Sequence, residues 1–504
     1  MSLSKAYVLA IDQGTTGTTV LLYDREGAVR GRAYSEIEQH YPQPGWVEHD
    51  PEEIWHSVVA GVNAALSAAR ASASDVAALG ITNQRETTVL WDRRTGMPVH
   101  NAIVWQCRRT AAECERVVAE GHEASVRRTT GLLIDAYFSA TKIAWMLDHV
   151  PGLRRRAEAG EIAFGTVDSW LLWKLTGGAV HATDPSNASR TLLLDIHTLE
   201  WSSELAALFG VPVEVLPALA PSSGVVGEST DRFGAPKGIP VAGIAGDQQA
   251  ALFGQGCYAP GDAKCTYGTG AFLLLNTGKE AVSSRNQLLT TVAWRIGHEV
   301  TYALEGSVFV CGAAVQWLRD GIGVISSAAE TEELARSVPS TGGVYFVPAF
   351  VGLGAPHWNP HARGMITGIT RGTTRAHLAR AALEAMAYQV CDLVAAMELD
   401  ADTRLAALRA DGGASANGWL MQFQADMLGV PVLRPANVET TGAGAGALAG
   451  LGVGFWRSTA ELASLVGAAT SFAPTMPATQ RDELMAGWHR AVDAAVELAH
   501  RNQE

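Results

Sequence analysis

An apolar run, Val8 to Ile11, ends on Asp12 and turns through Gln13-Gly14-Thr15-Thr16-Gly17 into a second run, Thr18 to Tyr23, which Asp24 and Gly27 close. The pattern predicts a β-hairpin with a polar tip. A carboxylate at a strand end followed by Gly-Thr-Thr suits a phosphate loop that lacks a lysine. Backbone N–H groups and hydroxyls then face the phosphates, and the aspartate holds Mg2+ directly or through water. The chain contains no G-x-x-x-x-G-K-[ST], which argues against a P-loop nucleotidase. Taken alone, the segment is equally well an ordinary hairpin turn.

The second half echoes the first. Ile239 to Ala245 reads as a strand ending in Gly246-Asp247-Gln248, and Thr266-Tyr267-Gly268-Thr269-Gly270 opens another, Ala271 to Asn276. Two such loops, one from each half, would close on a nucleotide from opposite sides. A third Gly-rich loop, Asp411-Gly412-Gly413-Ala414-Ser415-Ala416-Asn417, follows the strand Leu405 to Ala410, where backbone can approach an adenosine closely.

At 504 residues the chain is long enough for several domains, and 47% hydrophobic with 18% charged residues excludes intrinsic disorder. The net charge of −13 disfavours nucleic acid and anionic lipid. The six cysteines form no C-x-x-C pair and are expected to be buried thiols in a reducing cytosol. From Met1 to Ile11 there is no signal-peptide core, and no run approaches transmembrane length, so a soluble cytoplasmic protein is expected. Asp50 is placed to cap a helix from Pro51, with Glu53 at the capping-box position and Ile54, Val58, Val62 and Leu66 on one stripe. Val76 to Thr82 follows as a strand, and Arg375 to Leu399 reads as a long core helix. Strands alternating with amphipathic helices make the class α/β. Gly and Pro cluster at Gly254 to Gly261, which sets expected domains at 1–255 and 256–504.

A small polyol offers only hydroxyls, so its pocket needs a forked cationic donor beside an anionic acceptor, with an apolar wall for the C–H edge. Arg85, Glu86, Trp105, Tyr137 and Phe272 make up such a set. Without further context, Arg85-Glu86 reads rather as a solvated surface pair and Trp105 as a core residue. The run Gly442-Ala443-Gly444-Ala445-Gly446-Ala447 formally fits a dinucleotide fingerprint and a dehydrogenase. Pro431 and Pro435 before it favour a close-packed helix instead.

Four longer stretches carry a resemblance: Pro44 to Pro51, Gly80 to Thr88, Ala102 to Thr110 and Gly243 to Gln249. On these, and over nearly its whole length, the chain resembles the sugar and polyol kinases of the actin-like, ribonuclease-H-like ATPase superfamily, in particular the branch that acts on glycerol. The resemblance implies two actin-like domains with the active site in the cleft between them, ATP and Mg2+ as cofactors, glycerol as acceptor, and a homodimer or homotetramer. It further implies that Arg85, Glu86, Tyr137, Asp247 and Gln248 hold glycerol, with Trp105 and Phe272 on its carbon face. Asp247 becomes the general base, and Asp12 and Asp247 lie near the metal. Thr15, Thr16, Gly17, Thr269, Gly312, Gln316, Gly413 and Asn417 become nucleotide contacts. The alternatives are a related polyol or ketose kinase and an actin-like switch ATPase without phosphotransfer.

The chain departs from this pattern at several positions. Thr19 stands where many members of that branch carry an arginine, removing one positive contact near the phosphates. Asp135-Ala136-Tyr137 replaces Asp-Pro-Tyr, and Gly238 stands where enterobacterial members bind the inhibitor fructose 1,6-bisphosphate through an arginine. Between His197 and His298 there is no histidine to be phosphorylated, as happens in some Gram-positive members. Both regulatory devices are expected to be absent.

Overall fold

The computed structural model describes residues 5–467 and 469–501; Met1 to Ser4, part of the N-terminal reading above, lie outside them. Thirteen strands form one sheet. In chain order they are β1 (Tyr7–Gln13), β2 (Gly17–Tyr23), β3 (Val29–Glu36), β4 (Val76–Asn83), β5 (Ser223–Glu228), β6 (Pro240–Gly246) and β7 (Ala263–Tyr267). There follow β8 (Ala271–Gly278), β9 (Leu289–Ile296), β10 (Glu299–Val308), β11 (Leu408–Asp411), β12 (Val432–Pro435) and β13 (Ala469–Phe472). The spatial order is β13-β12-β11-β7-β8-β10-β9-β5-β6-β4-β1-β2-β3. One five-strand unit occurs twice in it, as β3-β2-β1-β4-β6 and as β10-β8-β7-β11-β12. In each unit the first three strands in sequence run antiparallel and the next two join parallel to the first. β5 bridges the units, antiparallel to β6 and meeting β9 at the single pair Ser223–Ile296.

Val8 to Ile11 are wholly buried, as expected of a central strand covered on both faces. One cover is α1 (Pro51–Ala68), whose stripe Ile54, Val58, Val62 and Leu66 is buried as its spacing predicts. Asp50 caps it by accepting from the Glu52 N–H at 2.8 Å. The capping box does not form, because the Glu53 carboxylate accepts from the Glu38 N–H instead. Further helices are α2 (Ser139–His149), α3 (Asp247–Gly254), α4 (Gly312–Gln316), α5 (Arg375–Ala401), α6 (Gly418–Leu428), α7 (Thr440–Gly452) and α8 (Ala478–Arg501).

The Gly/Ala run is α7, and its small residues serve backbone contact. A Cβ on Gly444 would lie 1.8 Å from the Ala250 carbonyl oxygen of α3, and one on Gly80 of β4 would lie 2.1 Å from that of Ala445. Gly442 and Gly444 are therefore packing glycines inside a helix, not a dinucleotide loop after a strand. All six cysteines are free and buried. Among the described residues no helix is long and apolar enough to cross a membrane.

The second hairpin is assembled differently from the sequence expectation. The strand before Asp247 is β6, which belongs to the N-terminal unit, and Asp247 opens α3 there. The counterpart of β1-β2 is β7-β8, with Gly268-Thr269-Gly270 at its tip. Asp12 and Asp247 thus come from the same half, not from opposite ones.

Candidate active site

β1, β4 and β6 run parallel, with Gln13, Asn83 and Gly246 in register at their C-terminal ends. Asp12 precedes one end, and Arg85, Glu86 and Asp247 follow the other two, so three neighbouring strand ends deliver charged side chains to one place, as open α/β sheets do. The C-terminal unit supplies a facing patch. Lys264 on β7, Leu274 on β8 and Glu305 on β10 are cross-strand partners, as are Thr266, Phe272 and Ser307. Cross-strand partners share a sheet face, so Lys264, Thr266, Phe272 and Glu305 stand together.

The two sets meet in a buried charge cluster. Arg85 donates to Glu305 from Nη1 at 2.5 Å and Nη2 at 3.0 Å, to Gln249 Oε1 at 3.2 Å and to the Tyr137 hydroxyl at 3.4 Å. Its Nε lies 3.2 Å from Asp247 Oδ1. Arg190, wholly buried, donates from Nη2 to Glu305 at 3.0 Å and from Nε to Glu86 at 2.6 Å. Burial pushes the carboxyls of both glutamates up. In Glu305 the guanidiniums of Arg190 and Arg85 more than reverse this and hold it at about 2, whereas in Glu86 they do not and the group stays raised. The difference follows from geometry: Glu305 accepts three guanidinium N–H bonds and Glu86 one. Arg85 and Glu86 are therefore not a solvated surface pair. On the adjacent side the buried Lys264 ammonium donates to Gln248 Oε1 and, at 2.9 Å, to Thr266 Oγ1.

Trp105 and Tyr137 form a T-shaped pair with ring centroids 5.6 Å apart, making the apolar side of the same space. The Trp105 indole Nε1 donates to Thr15 Oγ1 at 2.9 Å, which joins this wall to the first loop. Tyr137 is placed by Asp135, whose Oδ1 accepts from its N–H at 2.8 Å, so the change from Pro to Ala136 leaves its position defined.

Asp12 sits at the loop side. Burial, then the charges of Asp247 and Glu439, push its carboxyl up to about 8. The Gly14 N–H bonds the Gly17 carbonyl at 2.9 Å to close the turn, leaving Thr16 exposed. Gly17 serves packing: a Cβ there would lie 2.5 Å from the Ser35 carbonyl oxygen of β3. The tip of the second hairpin leans on α4, with the Gly268 carbonyl accepting from the Gly312 N–H at 2.9 Å and that of Thr269 from the Cys311 N–H at 2.9 Å. Thr269 and Gly312 thus form one unit, and Gln316 is exposed on the same helix. In the third loop Gly412 takes φ +83°, with no space for a Cβ, while Gly413 faces open space. Asn417 accepts from the Leu420 N–H at 2.9 Å and caps α6.

The residues that sequence reading missed are Glu305, Arg190, Lys264 and Gln249. A glutamate within the apolar strand Tyr302-Ala303-Leu304-Glu305 is a detectable signal, because an unpaired buried carboxylate is too costly to keep. Arg190 lies in a polar turn and carries no such signal.

Residues 7–254 match the N-terminal domain, and residues 263–453 the C-terminal domain, of the FGGY family of carbohydrate kinases, and the chain belongs to that family. Among relatives, a glycerol kinase of Symbiobacterium thermophilum is 58% identical over 98% of this chain and 99% of its own length. A glycerol kinase of Alkalilimnicola ehrlichii is 59% identical over 97% of this chain and 98% of its own. Of solved structures, Plasmodium falciparum glycerol kinase with ADP superposes with a TM-score of 0.93 at 36% identity, covering 98% of both chains.

Proposed function

We propose that this chain transfers the γ-phosphoryl group of ATP to a terminal hydroxyl of glycerol, giving sn-glycerol 3-phosphate. The observation that carries the reading is Arg85, buried and anchored by Glu305, with Asp247 at its Nε and the Trp105–Tyr137 pair alongside. The anchored guanidinium and the carboxylates of Glu86 and Asp247 suit neighbouring hydroxyls, and the aromatic rings with Phe272 suit the carbon chain. Gln248, fixed by Lys264, completes the set.

Asp247 acts as general base. Arg85 and the Gln248 N–H, 2.7 Å from Asp247 Oδ1, orient its carboxylate, which accepts the acceptor hydroxyl's proton as that oxygen attacks in line. Thr15, Thr16, Gly17, Thr269 and Gly312 hold the phosphates, Gln316, Gly413 and Asn417 the nucleoside. Closure of the domains 1–255 and 256–504 keeps water from the transferring group; the end of α3 at Gly254 and the start of β7 at Ala263 support that division.

The residues fit Mg2+. Asp12, pushed up to about 8 beside Asp247 and Glu439, is a carboxyl that a cation would relieve. Among the described residues no three His, Cys, Asp or Glu side chains converge as a metal cage, as suits an ion held largely by phosphates and water. When bound, the ion neutralises charge on the phosphates. A cytoplasmic homodimer or homotetramer completes the proposal.

A coupled ADP-release assay with Mg-ATP tests it across glycerol, dihydroxyacetone, erythritol, ribitol, xylulose and water. Turnover on glycerol far above the others is expected. Preference for a longer polyol or a ketose would reassign the acceptor, and an equal slow rate with every addition would indicate a switch ATPase.

A further inference from the structure

Behind the acceptor pocket lies a cation with no carboxylate in ion-pair contact among the described residues. Lys142 on α2 is wholly buried, and its ammonium donates to the carbonyl oxygens of Tyr137 at 2.5 Å and Glu86 at 3.3 Å. Glu86 is one of the few non-glycine residues in the left-handed region, at φ +60°. Its carbonyl also accepts from Ser139 Oγ and Thr88 Oγ1, each at 3.0 Å. A side-chain-bearing residue in that conformation costs about 1–3 kcal/mol and persists only where its surroundings over-determine it. An ammonium buried without a counter-ion is costly as well. Both costs converge on the backbone of the two residues whose side chains line the pocket.

We propose that Lys142 is a positioning residue for the acceptor: its ammonium ties the backbone of Glu86 to that of Tyr137, and so sets the distance between the carboxylate and the aromatic sides of the pocket. The inference rests on the acceptor pocket proposed above. Lys142 touches neither the acceptor nor the nucleotide loops, so its effect falls on acceptor binding alone. Burial draws the ammonium down to about 8, opposed in order by Glu86 after β4, Cys107, Asp135 before α2 and Cys114. The sign follows directly. As pH rises through about 8 the clamp loses its charge, and a charge-assisted hydrogen bond is roughly twice as strong as a neutral one, so the glycerol KM rises with a slope that removing the ammonium abolishes; Asp12, raised to about 8 beside the phosphate loop, gives the ATP KM a pH dependence of its own that Lys142 does not set.

The test measures both KM values for wild type, Lys142→Met and Arg85→Ala at about pH 7 and about pH 9.5, on either side of the ammonium's titration. Expected are a wild-type glycerol KM that rises several-fold with pH, and a Lys142→Met glycerol KM raised about tenfold without that slope, its ATP KM within about twofold. If Arg85→Ala leaves the glycerol KM unchanged, the pocket assignment itself fails. If Arg85→Ala raises it while Lys142→Met shifts neither the value nor the slope, or shifts both substrates equally, the pocket stands and the role of Lys142 is overturned. The wild-type profile needs no variant, and a glycerol KM flat across that range overturns the inference alone.

Discussion

Replacing Glu305 with glutamine removes a carboxylate that accepts hydrogen bonds from two buried guanidiniums. Arg85 grips it with two N–H groups, at 2.5 and 3.0 Å, and Arg190 with a third at 3.0 Å. Burial alone would push this carboxyl up; the arginines bring it to about 2 from an ordinary 4.5. That displacement corresponds to about 3 kcal/mol of stability, at the low end of the roughly 3–5 kcal/mol lost when one partner of a buried pair is removed. Because the folded value is depressed, the stabilisation is full above about pH 4.5 and is lost as pH falls toward about 2. Glu305→Gln lacks it at every pH. Urea unfolding should therefore show a gap of about 3 kcal/mol at neutral pH that narrows as the wild type is acidified below about pH 4.5. Without its anchor Arg85 is also free to turn toward Asp247, so the glycerol KM should rise. Glu86→Gln is the control: its carboxyl is raised, so its charge contributes far less to stability while its loss still costs acceptor binding. A Glu305→Gln protein with wild-type stability and glycerol KM would refute the electrostatic reading of the cluster.

Asp247→Asn should lower kcat by about 10²–10⁴-fold while calorimetry still detects glycerol binding; near-normal turnover would remove Asp247 from the base role. Thr19 is the cross-strand partner of Asp12, so Thr19→Arg would place a guanidinium beside that carboxyl and the phosphates. A gain of about 1 kcal/mol, or about fivefold in the ATP KM, is expected, and an unchanged or weakened ATP KM would count against the placement of the phosphates at this hairpin. Fructose 1,6-bisphosphate should leave turnover unaltered, because Gly238 takes φ +84°, where a side chain is strained, and brings no guanidinium. Clear inhibition in a steady-state titration would overturn that.

The parts of the fold that periodicity could reach were legible. The hairpin β1-β2, helix α1, strand β4 and the long helix α5 emerge because each buries an apolar face set by local spacing. What local spacing cannot carry is pairing between distant strands. Asp247 precedes the second hairpin in sequence, which invites pairing its loop with that hairpin's, yet its strand pairs with β4, more than 150 residues earlier. The third strand, read from Leu405, begins at Leu408, where register with Ala263 starts. The same limit applies to the site. Arg85, Glu86 and Asp247 stand at strand ends where sequence marks them, but Glu305 and Arg190 become partners only through tertiary contacts spanning 220 and 115 residues.

The contacts between the halves also constrain how they can move. Glu305 with Arg85 and Lys264 with Gln248 join elements of different units beside the charge cluster, and Asp411 with Gln255 joins them at the third loop. Of these the charged contact is the costly one to break, since separating it strands a wholly buried carboxylate and two wholly or nearly buried guanidiniums. The loops at Thr16 and Thr269 are exposed, and neither side chain is held in such a pair. A rotation that preserved the cluster would pivot beside Glu305 and change the separation of the nucleotide loops far more than the shape of the acceptor pocket. On the proposed reading, the pocket around Arg85 stays assembled in that geometry, and closure of the loops at Thr16 and Thr269 sets when the phosphoryl group would meet the hydroxyl assigned to Asp247.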